Sequence, residues 1–135
     1  MSTLTFYGAV TGVTGSMHLL ETQSGRVLLD CGLYQGGREE EAHNEDPFPF
    51  SVQSIDAVVL SHAHLDHSGR LPLLVKDGFS GPIYMTSATL DLIEVLLKDA
   101  ASLQLRDIEW ENKRRRRAGK TELAPLYTME DVDKA

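Results

Sequence analysis

Short runs of β-forming residues, separated by glycine and polar clusters, fill the first part of the chain, and helical spacing takes over in the last third. Leu4 to Tyr7 predict a short strand. Gly8 to Ser16 predict a loop, since glycines at 8, 12 and 15 oppose regular structure and permit unusual backbone angles. Met17 to Glu21 and Arg26 to Asp30 predict the strands of a hairpin, turned at Thr22-Gln23-Ser24-Gly25 with Gly25 free to take a positive φ. Gly32 to about Phe50 is polar and carries Gly36-Gly37, an acidic run, Pro47 and Pro49; it predicts an irregular surface loop. Ile55 to Ser61, β-branched and almost continuously apolar, predict a buried strand. Leu71 to Asp77 predict a short helix, with Pro72 suited to its first turn and Gly78 to its stop. Pro82 to Met85 predict another short strand. From Ser87 to about Ala118 the pairs Leu92/Leu96, Ile93/Leu97 and Ala100/Leu103 predict one long helix, capped by Thr86 or Ser87 and ended by Gly119. Thr121 to Ala135 predict a polar loop or ragged helix. The order implies an α/β layered fold with a helix packed on a sheet.

Composition narrows this further. At 135 residues and 41% hydrophobic, the chain suits one modest domain or part of a larger one. No segment approaches the apolar run of roughly 18 residues needed to cross a bilayer, and Met1 to Thr5 do not read as a secretory signal. The single cysteine, Cys31, excludes an intramolecular disulfide and reads as a buried thiol. A cytoplasmic protein, with no membrane partner, is the simplest expectation. The net charge of −7 does not advertise nucleic-acid binding, which would need a local basic patch or metal ions.

The chemistry concentrates in His62-Ala63-His64-Leu65-Asp66-His67, directly after the apolar run ending at Ser61. Side chains at i and i+2 of an extended chain share a side, so His62 and His64 can face one metal. Asp66 and His67, after the chain begins to turn, can face a second. Imidazole with carboxylate suits zinc, with manganese or iron as possibilities. Two such ions can share a hydroxide and grip a phosphoryl or carbonyl oxygen. The competing reading is polar residues scattered in an exposed loop. The density of donors at the carboxyl end of a buried strand argues against it.

His-x-His-x-Asp-His after an apolar strand resembles the signature of the metallo-β-lactamase superfamily. Val13-Thr14-Gly15-Ser16-x-His18-Leu19-Leu20, Leu28-Leu29-Asp30-Cys31-Gly32, Ser68-Gly69-Arg70-Leu71-Pro72 and Pro125-Leu126-Tyr127-Thr128 further resemble its β-CASP branch of RNA-processing nucleases. The resemblance implies a metallo-β-lactamase-like αββα sandwich, of which this chain is roughly the first half. It implies that His62 and His64 bind one zinc and Asp66 and His67 the other, that Asp66 also orients the attacking water, and that Asp30 holds the histidine loop from behind by hydrogen bonds. Without the resemblance, Asp30 reads equally well as a strand-ending residue before a Cys-Gly turn. The resemblance also implies parts that are not here: a further metal-binding His, a bridging Asp, a last His and the inserted β-CASP domain. Four donors shared by two ions leave two each. The expectation is therefore an N-terminal fragment, with a chain that pairs with a complementary one or a truncated, inactive product as the alternatives; such a half is inactive alone, with an apolar face open to self-association.

The other features carry less. His18 reads as a structural strand residue and His43 as a solvated one. Lys113-Arg114-Arg115-Arg116-Arg117 with Lys120 reads as a solvated helix end complementing the helix dipole, with contact to RNA phosphates as the alternative; Trp110 reads as a packing residue. The glycines at 8, 12 and 15 are not a phosphate loop, because no Gly-Lys-Ser/Thr follows. Three functions remain in play: a zinc-dependent RNA phosphodiesterase, endo- or exonucleolytic; a small ester, thioester or lactone hydrolase of the same superfamily; and a non-catalytic module keeping half a metal site.

Overall fold

A computed structural model describes residues 1–135. The chain builds a five-stranded sheet whose spatial order follows the sequence, β1 (Thr3–Phe6), β2 (His18–Glu21), β3 (Arg26–Leu29), β4 (Ala57–Val59) and β5 (Ile83–Tyr84). The first three strands pair antiparallel, and β3, β4 and β5 run parallel. Parallel neighbours need crossover connections. The first holds α1 (Arg38–Ala42) and two 3-10 turns; the second holds α2 (Leu65–Ser68) and α3 (Leu71–Lys76). The long α4 (Ser87–Arg117) and the short α5 (Met129–Lys134) complete the chain.

Alternation along the strands gives the sheet two different faces. Leu19, Leu28, Val58 and Ile83 lie in one cross-strand row. The first three are fully buried, in a core shared with Leu71 and Leu74 of α3, Ile93, Leu97 and Ala101 of α4, and Tyr127. Full burial of each such side chain is worth about 1.5–3 kcal/mol. The opposite row, Phe6, His18, Leu29, Val59 and Tyr84, crosses all five strands. It is largely open: Phe6 is 57% exposed and Tyr84 59%, with His18 and Leu29 half-buried between them.

Several expectations need correction. The stretch from Gly32 to Phe50 is not wholly irregular, for α1 forms within it. That helix buries no side chain and starts with Glu40 accepting from the Gly37 amide at 3.1 Å, so local capping made it where no hydrophobic pattern could. Gly25 does not take a positive φ. The hairpin turn is instead tied by the Thr22 hydroxyl, which accepts from the amides of Ser24 and Gly25 at 3.1 Å. Strand β4 pairs over three residues rather than seven, yet its flanks Ile55 and Leu60 are buried as expected. In α4 the core face is Ile93, Leu97, Ala100 and Ala101, whereas Leu92 and Leu103 point outward. Trp110 is not a packing residue; it is 63% exposed. Thr86 is the cap of α4, accepting from the Thr89 amide. The ragged tail resolves into α5, started by a reciprocal Thr128–Asp131 capping box. No helix is long and apolar enough to cross a membrane.

Candidate metal centre

The parallel register Leu29↔Val59 brings the ends of β3 and β4 to one edge of the sheet, so Asp30 meets Ser61. The Asp30 amide donates to the Val59 carbonyl at 3.0 Å. Its backbone turns through φ 61°, a left-handed conformation that short polar residues tolerate better than branched ones. Its side chain is 9% exposed and heavily engaged. Oδ1 accepts from the Ser61 amide at 2.8 Å. Oδ2 accepts from the Ser61 hydroxyl at 2.8 Å, from His67 Nδ1 at 2.8 Å and from the Ser16 hydroxyl at 3.4 Å.

Helix α2 turns the chain so that Asp66 and His67 come back over the strand ends. Its carbonyls are held from below: the amides of Cys31, Leu33 and Ser16 donate to His67, Leu65 and Asp66 at 2.8, 2.8 and 2.9 Å. This approach requires a glycine at 32, since a Cβ there would run into the Asp66 carbonyl. The Ser68 hydroxyl closes the turn by donating to the Ala63 and His64 carbonyls at 3.0 Å. From the far side, the Tyr127 hydroxyl donates to the Gly69 carbonyl at 2.7 Å across 58 positions of sequence. Arg70 is 2% exposed. Its Nε donates to the Gly32 carbonyl at 2.7 Å, and its guanidinium lies over the rings of Tyr34 and Phe48 at 5.0 and 5.4 Å. It carries its charge there without a carboxylate partner, which fixes the 31–33 segment beneath the histidines.

On this platform the four candidate ligands gather. The His62 ring centroid lies 4.0 Å from that of His67 and 4.8 Å from that of His64, and Asp66 Oδ2 is 3.4 Å from His67 Nε2. His64 is exposed and the others half-buried. The donor chemistry, three imidazoles and a carboxylate at a water-accessible strand end, fits a borderline divalent cation such as zinc. The set is partial, however: no three of these groups converge on one point at which an ion could sit.

Cys31, next to Asp30, is fully buried. Burial pushes its thiol up to about 12, with the Arg70 charge pulling down and Asp30 adding to the rise. His18 opens β2, edge-on to Phe6 with centroids 4.9 Å apart, and its Nε2 lies 3.5 Å from the Ser16 hydroxyl that donates to Asp30. His43 is exposed and pairs with Asp46 at 2.8 Å. Ser61, Ser16, Arg70 and Tyr127 were not singled out as individual residues in the sequence. Ser16, Arg70 and Tyr127 stand within the strings that resemble the β-CASP branch, and Ser61 directly precedes the motif at the end of an apolar strand.

Residues 10–130 match the family model described as Metallo-beta-lactamase superfamily. A relative from Thermus thermophilus, named Ribonuclease TTHA0252, is 55% identical over 94 residues, which are 70% of this chain and 21% of that protein. Transcription termination factor FttA of Methanothermobacter thermautotrophicus is 41% identical over 110 residues, 78% of this chain and 17% of the relative. The chain thus spans about a fifth of the length of these curated relatives. Among solved structures, a Cronobacter sakazakii metallo-β-lactamase with a HARLDQ motif matches 64% of this chain and 31% of its own at 25% identity and a TM-score of 0.47. With nearly its whole length matched by the family model, the chain belongs to the metallo-β-lactamase superfamily.

Proposed function

We propose that this chain supplies the first metal-gripping half of a hydrolase that cleaves RNA phosphodiester bonds, in the manner of the β-CASP branch, in the cytoplasm. The observation that carries the reading is the cluster of His62, His64, Asp66 and His67 above a buried Asp30. RNA as substrate is supported by the relative named a ribonuclease. His62 with His64, and Asp66 with His67, would each hold one divalent ion, zinc by donor type and manganese or iron as alternatives. Such ions, when bound, supply Lewis acidity and a water acidic enough to lose its proton near neutral pH.

The chain's own residues have separable tasks in this reading. Asp30 orients His67 and keeps its Nδ1 occupied, so that Nε2 faces the ion. Asp66 carries a second task, accepting a hydrogen from the attacking water and aiming it at phosphorus. The remaining ligands, and the group that protonates the leaving oxygen, come from a further segment or a complementary chain. That partner would also cover the open row from Phe6 to Tyr84. Left uncovered, this face favours self-association.

The test is metal analysis and single-stranded RNA cleavage by the longest native form of the chain, beside a panel of thioesters and lactones. Bound zinc with RNA cleavage supports the proposal. Zinc with ester hydrolysis and no RNA cleavage, or no metal at all, overturns it.

A further inference from the structure

We propose that the outward face of α4, from Arg106 to Lys120, is a docking surface for single-stranded RNA, separate from the strand-end site. Six of the chain's 13 basic side chains fall in the eight positions 113–120, with no acid among them, in a chain of net charge −7. With Arg106 these cations fall into three groups. Arg114 pairs with Glu111 at 3.5 Å. Arg115 and Arg116 turn back: Arg115 Nε donates to the Thr121 carbonyl at 2.5 Å, and Arg116 Nε reaches Glu122 at 2.9 Å. These two, at the helix end, meet the requirement for cations near its carbonyls. Arg106, Lys113, Arg117 and Lys120 form no side-chain hydrogen bond or ion pair and are exposed, so helix capping does not account for them.

Arg106, Trp110, Lys113 and Arg117 recur at helical spacing on the side of α4 opposite its core residues Ile93, Leu97 and Ala101. Trp110 is 63% exposed among these cations, and Arg114 lies over its ring at 5.1 Å. Asp107, Glu109 and Glu111 share the 106–120 stretch, but its seven cations outnumber them, and unpaired Arg106 and Lys113 stand one helical turn to either side of the ring. An exposed aromatic among excess cations is the composition by which proteins hold single strands: cations track the phosphates and the ring stacks a base. Leu92 and Leu103 also point outward on α4, so anionic lipid is the competing occupant, and tighter binding to phosphatidylglycerol vesicles than to RNA would overturn the proposal. The choice of RNA among polyanions rests on the proposed function above. The two surfaces are distinct in space. Tyr127, bonded to the Gly69 carbonyl next to the motif, lies beside Gln104 of α4, and Trp110 stands about 9 Å further along the helix at about 1.5 Å per residue.

The experiment is fluorescence anisotropy of a labelled oligouridylate with the 135-residue chain in excess chelator, which silences the strand-end site. The wild type binds. The triple variant R106Q/K113Q/R117Q loses tenfold or more in affinity, and its slope of log affinity against log salt falls by about two, at about 0.7 per phosphate contact. Trp110→Leu loses about tenfold, and indole emission is quenched when RNA is added to the wild type. Lys134→Gln, at an exposed cation of α5, binds as the wild type does; because chelator keeps the strand-end site free of metal, failure of the catalytic reading leaves this result intact. All substituted positions are exposed, and far-UV circular dichroism checks the fold of each variant. Absence of wild-type binding, an unchanged triple variant, or Trp110→Leu binding normally with no quench would each overturn the proposal.

Discussion

Asp30 Oδ2 and His67 Nδ1 stand 2.8 Å apart although 37 positions separate them in the chain. With the carboxylate accepting, the contact places a ring proton on Nδ1 and turns Nε2 away from Asp30. That nitrogen faces Asp66 Oδ2 at 3.4 Å. The same Asp30 carboxylate grips the Ser61 amide, so one buried group sets both the tip of β4 and the orientation of the last histidine.

Asp30→Asn keeps the size of the side chain but replaces one acceptor oxygen with a donor. Its expected effect is a zinc affinity lower by about 10–100-fold, the usual cost of losing such a support, read by competition with a chromophoric chelator. Asp30→Ala and Asp30→Gly both lose the hydrogen bonds. Because φ is positive at this position, the alanine variant should be the less stable of the two by about 1 kcal/mol in urea denaturation.

Gly32→Ala tests the close approach beneath α2. The added methyl meets the Asp66 carbonyl, and both segments are pinned by short backbone hydrogen bonds. The expected loss is about 1–3 kcal/mol in chemical denaturation, with weaker metal binding as Asp66 and His67 shift.

Much of this was legible in advance, and the remainder was hidden for a physical reason. The strands, α3, α4 and the histidine motif announce themselves through periodicity, caps and donor density, all of which are local. Asp30 was ambiguous because its role depends on the register of β3 against β4, which pairing across 31 positions decides. Arg70 and Tyr127 stand in strings that carry the resemblance, but their roles stay hidden for the same reason, since their partners Gly32 and Gly69 lie far away in sequence. The outward turn of Leu92, Leu103 and Trp110 was misread because two hydrophobic stripes run along α4, and spacing alone does not say which one the sheet takes.

Tyr127→Phe removes the hydroxyl that satisfies the Gly69 carbonyl and leaves that buried acceptor unpaired. The expected cost is about 1–3 kcal/mol. Hydrogen exchange should show faster opening of α5 and of the Leu65–Ser68 turn together, since this bond ties the tail to the motif.

Cys31 predicts a pH dependence with a definite sign. Its thiol is raised from 9.0 to about 12 in the folded chain by burial first, with Arg70 opposing. Only the unfolded chain therefore ionises readily between these values. Stability contributed by keeping the thiol protonated is fully present below about pH 9 and declines as pH climbs towards 12. Cys31→Ala should lose less stability than the wild type over that interval, measured by urea denaturation at each pH. In the native wild type the thiol should resist a disulfide reagent at pH 8 until the chain unfolds.

The central claim is that His62, His64, Asp66 and His67 act together as ligands. Equilibrium zinc binding by the longest native form, compared with its His62→Ala/His64→Ala and Asp66→Ala/His67→Ala variants, tests it most directly. The account predicts bound zinc in the parent and a lower stoichiometry or affinity in each double variant. Zinc bound equally well by all three, or by none, would contradict it.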